Sequence, residues 1–488
     1  MQNGVAVAMS HVEVTRLARL LSGWESETDG PLSTRLATAL HQLSQLGDLP
    51  SGVMLPPQRV LATALGVSRS TVNGAYTELR DSGVLVSRQG SGSRLRRTGA
   101  PQQAQGGGEG RLRSITGHEH RLVDLSSGAL ESLPSLRAEV VRGFDPDDLD
   151  NYLATDGYYP AGLPLLRSAV ADYYCDLGLP TGPDNIIITS GSQQAVWLLC
   201  ETFVEPGDSV VVEDPSYRGA LESVRLRGGR TLSVPATEDG PDLRILATII
   251  SRVRPRLLYL LPTAHNPTGA TMSETARRRL SQLLTTHNVF TVDDGSPAEL
   301  LLDRDTPPTL LASLLASNQS ATIGTLSKLF WGGLRIGWIR ASPEIVRHLT
   351  ERKKAVDLGA AVLEQLLAVR LLGQLDSART QRRRWLSERC DHTGHLVSTL
   401  APDWEWKRPS GGSAFWIRLP GVDVVALSAL ARRHGILITA GTTCSPTDNF
   451  REMLRLPFAA PQHSIEHAIT ILTRLAQTLP ATMAGRER

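Results

Sequence analysis

Residues 325–338 read TLSKLFWGGLRIGW. The run continues a β-branched stretch at 321–324, places Lys328 ahead of closely spaced glycines, and brings a fixed positive charge, Arg335, back seven residues later. A lysine that condenses with an aldehyde must sit in a dry, structured pocket, where a lowered pKa leaves the amine free to attack. Only four of the 51 basic residues are lysines. Lys353 and Lys354 fall in a charged helical stretch, and Lys407 lies between Trp406 and Arg408 before a turn. Lys328 alone follows a β-run directly, which makes it the candidate.

Working outward, β-branched or leucine-rich runs at 185–189, 209–212, 256–261, 289–292 and 321–324 alternate with helical stretches. That alternation predicts an α/β fold with a mostly parallel sheet covered on both faces. The run at 185–189 leads through Ser190 into Gly191, Ser192 and Gln193 and then an apolar helix, so unpaired amides at that helix start offer an anion seat. The run at 256–261 leads to His265-Asn266-Pro267-Thr268-Gly269, and the run at 289–292 ends at Asp293. All lie at strand carboxyl ends, the edge of an open α/β sheet where ligands bind.

The front of the chain has a different character. Residues 28–97 carry eight arginines against four acids, a local +4 in a chain whose net charge is +2. Three helical patterns follow one another there. Leu32, Leu36, Leu40 and Leu43 share one face, Val60, Leu61, Ala64 and Leu65 a second, and Val72, Ala75, Tyr76 and Leu79 a third. Gly66-Val67-Ser68 reads as a tight turn with Ser68 capping the next helix, the layout of a helix-turn-helix. The third helix would enter the major groove with Arg69, Ser70, Thr71 and Asn73 exposed at its start. A strand at 84–87, a turn over Gln89-Gly90-Ser91-Gly92, and Arg94, Arg96 and Arg97 read as a basic wing. Residues 101–110, PQQAQGGGEG, read as a flexible linker within a connection spanning 98–120. This divides a module at 28–97 from a large segment at 121–488; a short amphipathic stretch at 12–24 has no role assignable from sequence.

With 488 residues and 41% apolar content, the chain can build two or three cores. No apolar window is long enough to span a bilayer and no secretion signal is legible, so no membrane partner is expected and the cytoplasm is the expected compartment. Cys175, Cys200, Cys390 and Cys444 are far apart, which predicts neither a zinc site nor a disulfide framework.

The run LPPQRVLATALGVSRSTVNGAYTELRDSGVLVSRQGSGSRL resembles the winged helix-turn-helix of GntR-type bacterial regulators. The resemblance implies binding to double-stranded operator DNA, with Arg59, Arg69 and Ser70 as contacts and Gly90 in the wing turn. Residues 121–480, by the order and spacing of S-G-S, H-N-P-T-G and SKLFWGGLRIG, resemble fold type I pyridoxal 5′-phosphate (PLP) enzymes of the aspartate aminotransferase group. That implies Lys328 as the Schiff-base lysine, Asp293 on the pyridine nitrogen, and Asn266 on the ring hydroxyl. Ser190, Gly191, Ser192, Ser327 and Arg335 would hold the phosphate, Tyr217 would cover the ring, and Arg455 would clamp a ligand carboxylate. Residue by residue, the alternatives are that Asp293 caps a loop, Tyr217 belongs to the core and Arg455 pairs with an acid. Tyr158 or Tyr159 would reach a neighbouring subunit's phosphate.

The sequence departs from that family at one place. A tyrosine two or three positions after the pyridine aspartate is replaced by Gly295 or Ser296, which argues against efficient transamination. The combined architecture resembles the MocR/GabR subfamily. It implies a head-to-tail homodimer, each DNA-binding module packing near the other subunit. It also implies a regulator switched by PLP or a small amine, controlling vitamin B6 synthesis or the use of an amino compound. An active aminotransferase with an accessory DNA-binding domain is the alternative.

Overall fold

The computed structural model describes residues 12–26, 30–45, 49, 53–81, 84–88, 92–95 and 123–479. The linker at 98–120, the turn residue Gly90, and Arg96 and Arg97 lie outside the described residues.

The N-terminal unit packs helices Leu32–Gln45, Gln58–Leu65 and Arg69–Asp81 against one another and closes with a three-stranded sheet. Its strands are β1 (Met54–Leu55), β2 (Leu85–Arg88) and β3 (Gly92–Leu95), with β3 central and both pairings antiparallel. Ser68 accepts from the Thr71 N–H at 3.1 Å, the cap expected at the start of the third helix. Val72, Ala75, Tyr76 and Leu79 are buried as the periodicity predicts. The second helix differs from expectation: it buries Leu61 and Ala62, while Val60 and Ala64 are exposed and Leu65 is half-buried, so its core face is rotated from the one the periodicity marks. Gly74 is needed where the third helix crosses the first, since a Cβ there would lie 2.8 Å from Ser33 Cβ.

The stretch at 12–24 folds as a helix, Val14–Leu20, followed by a 3-10 turn, Trp24–Ser26. Its apolar residues Leu17, Leu20, Leu21 and Trp24 join the core of this unit, and Ala429 of the helix Val424–Arg433 joins the same cluster. Arg433 Nη2 donates to the Leu20 carbonyl at 2.7 Å, and Arg19 lies 3.8 Å from Asp423. The helix therefore bridges the N-terminal unit and the distal part of the same chain.

The large unit holds β4 (Val123–Asp124), β5 (Ile186–Thr189), β6 (Ser209–Asp214), β7 (Arg230–Thr237), β8 (Gly240–Pro241), β9 (Leu257–Leu260), β10 (Thr291–Asp294), β11 (Ser320–Thr325) and β12 (Gly337–Arg340). Eight of these form one sheet, in the order β5-β12-β11-β10-β9-β6-β7-β8. The pairings β11/β10, β10/β9, β9/β6 and β6/β7 are parallel, whereas β12 and β8 run against their neighbours. All of β5, β6, β9, β10 and β11 thus end at one edge. The predicted runs recur with shifted ends; the one at 289–292, for example, becomes Thr291–Asp294. Separate apolar clusters cover the two faces: Val292, Ile323 and Tyr259 pack on the helices Ser192–Phe203 and Arg218–Leu226, while Leu258, Leu260 and Leu280 pack on the other side.

The chain ends in a smaller unit, where β13 (Ala414–Arg418), β15 (Thr439–Ala440) and β16 (Met453–Pro457) form an antiparallel sheet and β14 (Ile436–Leu437) pairs with β4. The pairing of β14 with β4 stitches this unit to the start of the large one.

Candidate functional site

The carboxyl edge of the large sheet gathers most of the expected residues. Ser190 follows β5, and Gly191 caps the helix Ser192–Phe203 at φ +81°, a conformation that favours glycine. Arg335, itself at φ +51°, donates Nη2 to the Ser190 carbonyl at 2.6 Å. A Cβ on Gly191 would fall 2.6 Å from that same nitrogen, so glycine and arginine are matched in space. Ser327 is buried, and its Oγ has no hydrogen-bond partner. A buried donor without a partner, a helix start and a guanidinium suit a phosphate group well.

Lys328 stands beside this seat. Burial lowers its pKa to about 8, and the nearby positive charges of Arg455, Arg218 and Arg335 push the same way, against Asp294. An amine near 8 keeps a far larger neutral, nucleophilic fraction at physiological pH than an ordinary lysine. Tyr217 packs against the sheet's apolar cluster and donates its hydroxyl to Gln193 Oε1 at 2.8 Å; burial pushes its pKa up to about 12. Arg455 Nε donates to Asn266 Oδ1 at 3.2 Å, which brings the expected carboxylate clamp and ring-hydroxyl partner together. Burial lowers the Arg455 pKa to about 10, and Gly128 leaves room for it, since a Cβ there would be 2.4 Å from Nη2. Arg218, which no sequence motif marks, is buried nearby and donates to the Ser126 carbonyl at 3.2 Å.

Two acidic residues close β10. Side chains alternate faces along a strand, and Asp293 and Asp294 therefore point to opposite sides. Asp293 accepts from the backbone of Leu311 and Ala312 and feels Arg277; burial raises its pKa to about 6. Its Oδ2 is buried and has no hydrogen-bond partner, which leaves an acceptor free for a ligand. Asp294 shares its face with Tyr259 and interacts electrostatically with Lys328 and Tyr217. It accepts from the Tyr259 hydroxyl, from the Ser296 N–H at 2.9 Å and from Ser296 Oγ at 2.5 Å. The two-aspartate run carries the signal: only the strand's parity decides which carboxylate meets the lysine. Gly295 has no side chain to offer, and the Ser296 hydroxyl is spent on Asp294.

Lys353 also departs from its sequence reading. It is fully buried and pairs with Asp357 at 2.7 Å instead of lying on a charged surface. Lys407 is exposed and pairs with Glu238. Tyr158 is 61% exposed, whereas Tyr159 packs its ring edge on Tyr152 and bonds Thr155.

In the N-terminal unit, Arg59, Arg69, Ser70 and Asn73 are all exposed, and Arg69 opens the third helix. Asn73 Oδ1 accepts from Gln58 Nε2 at 3.0 Å, so the second and third helices present one polar surface. Among the described residues no cluster of His, Cys, Asp or Glu could hold a metal, and no helix is long and apolar enough to cross a membrane.

Residues 121–472 match the model for aminotransferase class I and II. The chain belongs to that family. Residues 32–95 match the model for bacterial regulatory proteins of the gntR family. The chain is 34% identical to a 2-aminoadipate transaminase of Thermus thermophilus, over 63% of this chain and 76% of that protein. It is 28% identical to a probable rhizopine catabolism regulatory protein, MocR, of Rhizobium meliloti, over 66% of this chain and 67% of the relative. The structure superposes on the α-aminoadipate aminotransferase LysN of Thermus thermophilus with a TM-score of 0.66 at 29% identity, covering 76% of this chain and 97% of the other. A GntR-type unit fused to an aminotransferase domain is the MocR-type architecture, and the fold is PLP-dependent. The aminotransferase domain here has the residues for that cofactor: the unpartnered Ser327 Oγ, the Gly191–Arg335 cradle and the lowered lysine all fit it.

Proposed function

We propose that this protein is a transcription regulator that binds operator DNA through its N-terminal unit and responds to PLP, or to a small amine that displaces Lys328, in its aminotransferase domain. The observation that carries the reading is the coexistence in one chain of an exposed arginine-bearing recognition helix and a buried lysine with its pKa lowered to about 8.

In this reading Lys328 holds the cofactor's aldehyde, while Ser190, Gly191, Ser192, Ser327 and Arg335 hold its phosphate. Asn266 meets the ring hydroxyl, Tyr217 covers the ring, and Asp293, with its unpartnered Oδ2, faces the pyridine nitrogen. When bound, PLP supplies an electron sink for an attached amine. Arg455 orients a ligand carboxylate by paired hydrogen bonds, held at its angle by Asn266. Lys328, when not linked to the cofactor, would be available as a base toward a bound amine. A family tyrosine would hold the ring oxygen, and here Gly295 and the engaged Ser296 replace it, so proton transfer is weakly supported and turnover is slow. Arg59, Arg69, Ser70 and Asn73 contact DNA, with Gly90 in the wing. The protein acts as a head-to-tail homodimer in the cytoplasm, with the exposed Tyr158 reaching the partner's phosphate seat, and it governs genes of vitamin B6 synthesis or amino-compound use.

The buried Arg455 favours a second reading, an active aminotransferase. Mixing PLP-loaded protein with candidate amino acids and 2-oxoglutarate separates the two. The regulator reading expects a shift in the visible spectrum and altered affinity for a selected operator without glutamate formation. Sustained turnover at about 1 s⁻¹ or faster, the lower end for ordinary enzymes, would overturn it.

A further inference from the structure

Lys353 poses a problem that the cofactor assignment leaves unsolved. A fully buried lysine is rare unless its charge is compensated, and this one lies on the helix Pro343–Asp357, outside the set of residues assigned to PLP. Its Nζ donates to Asp357 Oδ1 at 2.7 Å, one helical turn on. The other oxygen, Asp357 Oδ2, accepts from Gln194 Nε2 at 2.6 Å. Gln194 sits in the first turn of the helix Ser192–Phe203, and its Oε1 accepts from the Ser190 N–H at 2.7 Å. The Ser190 carbonyl takes Arg335 Nη2 at 2.6 Å. An unbroken line of hydrogen bonds thus runs from a buried ammonium to both ends of the residue that opens the phosphate seat. The same carboxylate accepts from the Gly359 N–H at 3.1 Å, fixing the turn that ends the lysine's own helix.

Each link has a physical consequence. The carboxamide of Gln194 can present its oxygen to Ser190 only if its nitrogen has an acceptor behind it, and Asp357 is that acceptor. Asp357 keeps its orientation because one oxygen is bound to the ammonium and to Gly359, leaving the other for Gln194. The Thr189–Ser190 peptide is thereby held from behind, and the next peptide, Ser190–Gly191, whose carbonyl takes Arg335, leads from it into the helix start at Ser192. A charged pair at the back of a neutral amide also polarises the chain of hydrogen bonds in one direction.

We propose that Lys353 and Asp357 are positioning residues for the cofactor's phosphate, acting through Gln194 on Ser190 without touching the cofactor. The inference rests on the reading of the pocket as a PLP site and adds to it a support outside the pocket.

The test compares two aldehydes on the full-length apoprotein: PLP, and pyridoxal, which lacks the phosphate. Affinities are read from visible absorbance for the wild type and for Lys353→Met, Lys353→Arg and Gln194→Leu. Lys353→Met and Gln194→Leu should each weaken PLP about tenfold or more and leave pyridoxal within about twofold, and Lys353→Arg should restore part of the loss. An equal loss for both aldehydes would mean a merely structural pair, and no loss for either would mean an idle one; both outcomes overturn the proposal. Gln194→Leu leaves the buried ion pair intact and decides the matter if Lys353→Met does not fold. Failure of the wild type to take up PLP at all would instead overturn the pocket assignment.

Discussion

The N-terminal unit and the aminotransferase domain arrange their chemistry in opposite ways. In the first, Arg59, Arg69, Ser70 and Asn73 are exposed on a small three-helix core, and their hydrogen bonds, such as Asn73 with Gln58, are made at the surface. In the second, Lys328, Asp294, Arg455 and Tyr217 are enclosed, each group's protonation depends on the others, and hydrogen bonds such as Arg455–Asn266 and Tyr259–Asp294 tie them together. Exposed charges act nearly independently and are screened by salt, whereas enclosed ones act as a coupled set. Substitutions should therefore be graded and additive in the N-terminal unit, and steep and non-additive in the pocket.

The strongest test of that contrast is Lys328→Ala. It should abolish the borohydride-reducible link to PLP entirely, with peptide mapping finding no label on Lys353, Lys354 or Lys407; a label on any of these would place the site elsewhere. Next in size is the pair Asp293→Asn and Asp294→Asn. Loss of a charge-assisted partner is worth about 1.5–3 kcal/mol, so Asp293→Asn should weaken PLP by roughly tenfold or more in a spectroscopic titration. Asp294→Asn, at a carboxylate already engaged by Tyr259 and Ser296, should act mainly on thermal stability, and the reverse pattern would make Asp294 the pyridine partner.

On the DNA side, Arg69→Ala should cost on the order of 1–3 kcal/mol if it reads a base edge. Arg59→Ala combined with it should be additive to within about 0.5 kcal/mol, as measured by titration of a selected operator at fixed salt. Strong coupling between the two would erase the distinction between the regions.

The smallest effects concern pH. Because the folded Lys328 titrates near 8, the rate of PLP capture by the apoprotein should rise with pH to a half-maximum near that value. Glu213, on the far side of the sheet from the lysine, is pushed up to about 7 by burial. A raised carboxyl binds its proton more tightly in the folded state, so its stabilisation is complete below the ordinary value and lost as pH rises through about 7. Glu213→Gln should consequently raise the Tm more at pH 8 than at pH 5, and an equal rise at both would assign the effect to packing.

The same contrast explains how much of the molecule is legible in its amino-acid sequence. The recognition helix is legible to the residue, since Val72, Ala75, Tyr76 and Leu79 declare the buried face and leave Arg69 and Asn73 outside by periodicity alone. The sheet and its ligand edge are legible from the apolar runs, but the ends of the strands are not. At β10 that uncertainty matters, because a shift of one residue exchanges the two faces, and Asp293 and Asp294 are chemically identical along the chain. Lys353 escapes a sequence reading for a related reason. Its neighbours Arg352 and Lys354 are exposed, and charge density along a helix does not reveal which member turns inward. Tyr259 and Gln194 carry no signal of their own because their partners, Asp294 and Asp357, are brought to them only by folding.

The bridging helix Val14–Leu20 has a mechanical consequence. Its outward hold on the distal part of the chain includes a hydrogen bond from Arg433, a long ion pair from Arg19 to Asp423, and the seating of Ala429. Asp423 also lies 3.8 Å from Arg451, four residues before Arg455, so the catch is mounted on the segment that leads into the carboxylate clamp. Polar contacts of this partly exposed kind are worth on the order of 1 kcal/mol each, which makes the hold a latch rather than a weld, and one that shares Asp423 with the segment leading into the clamp.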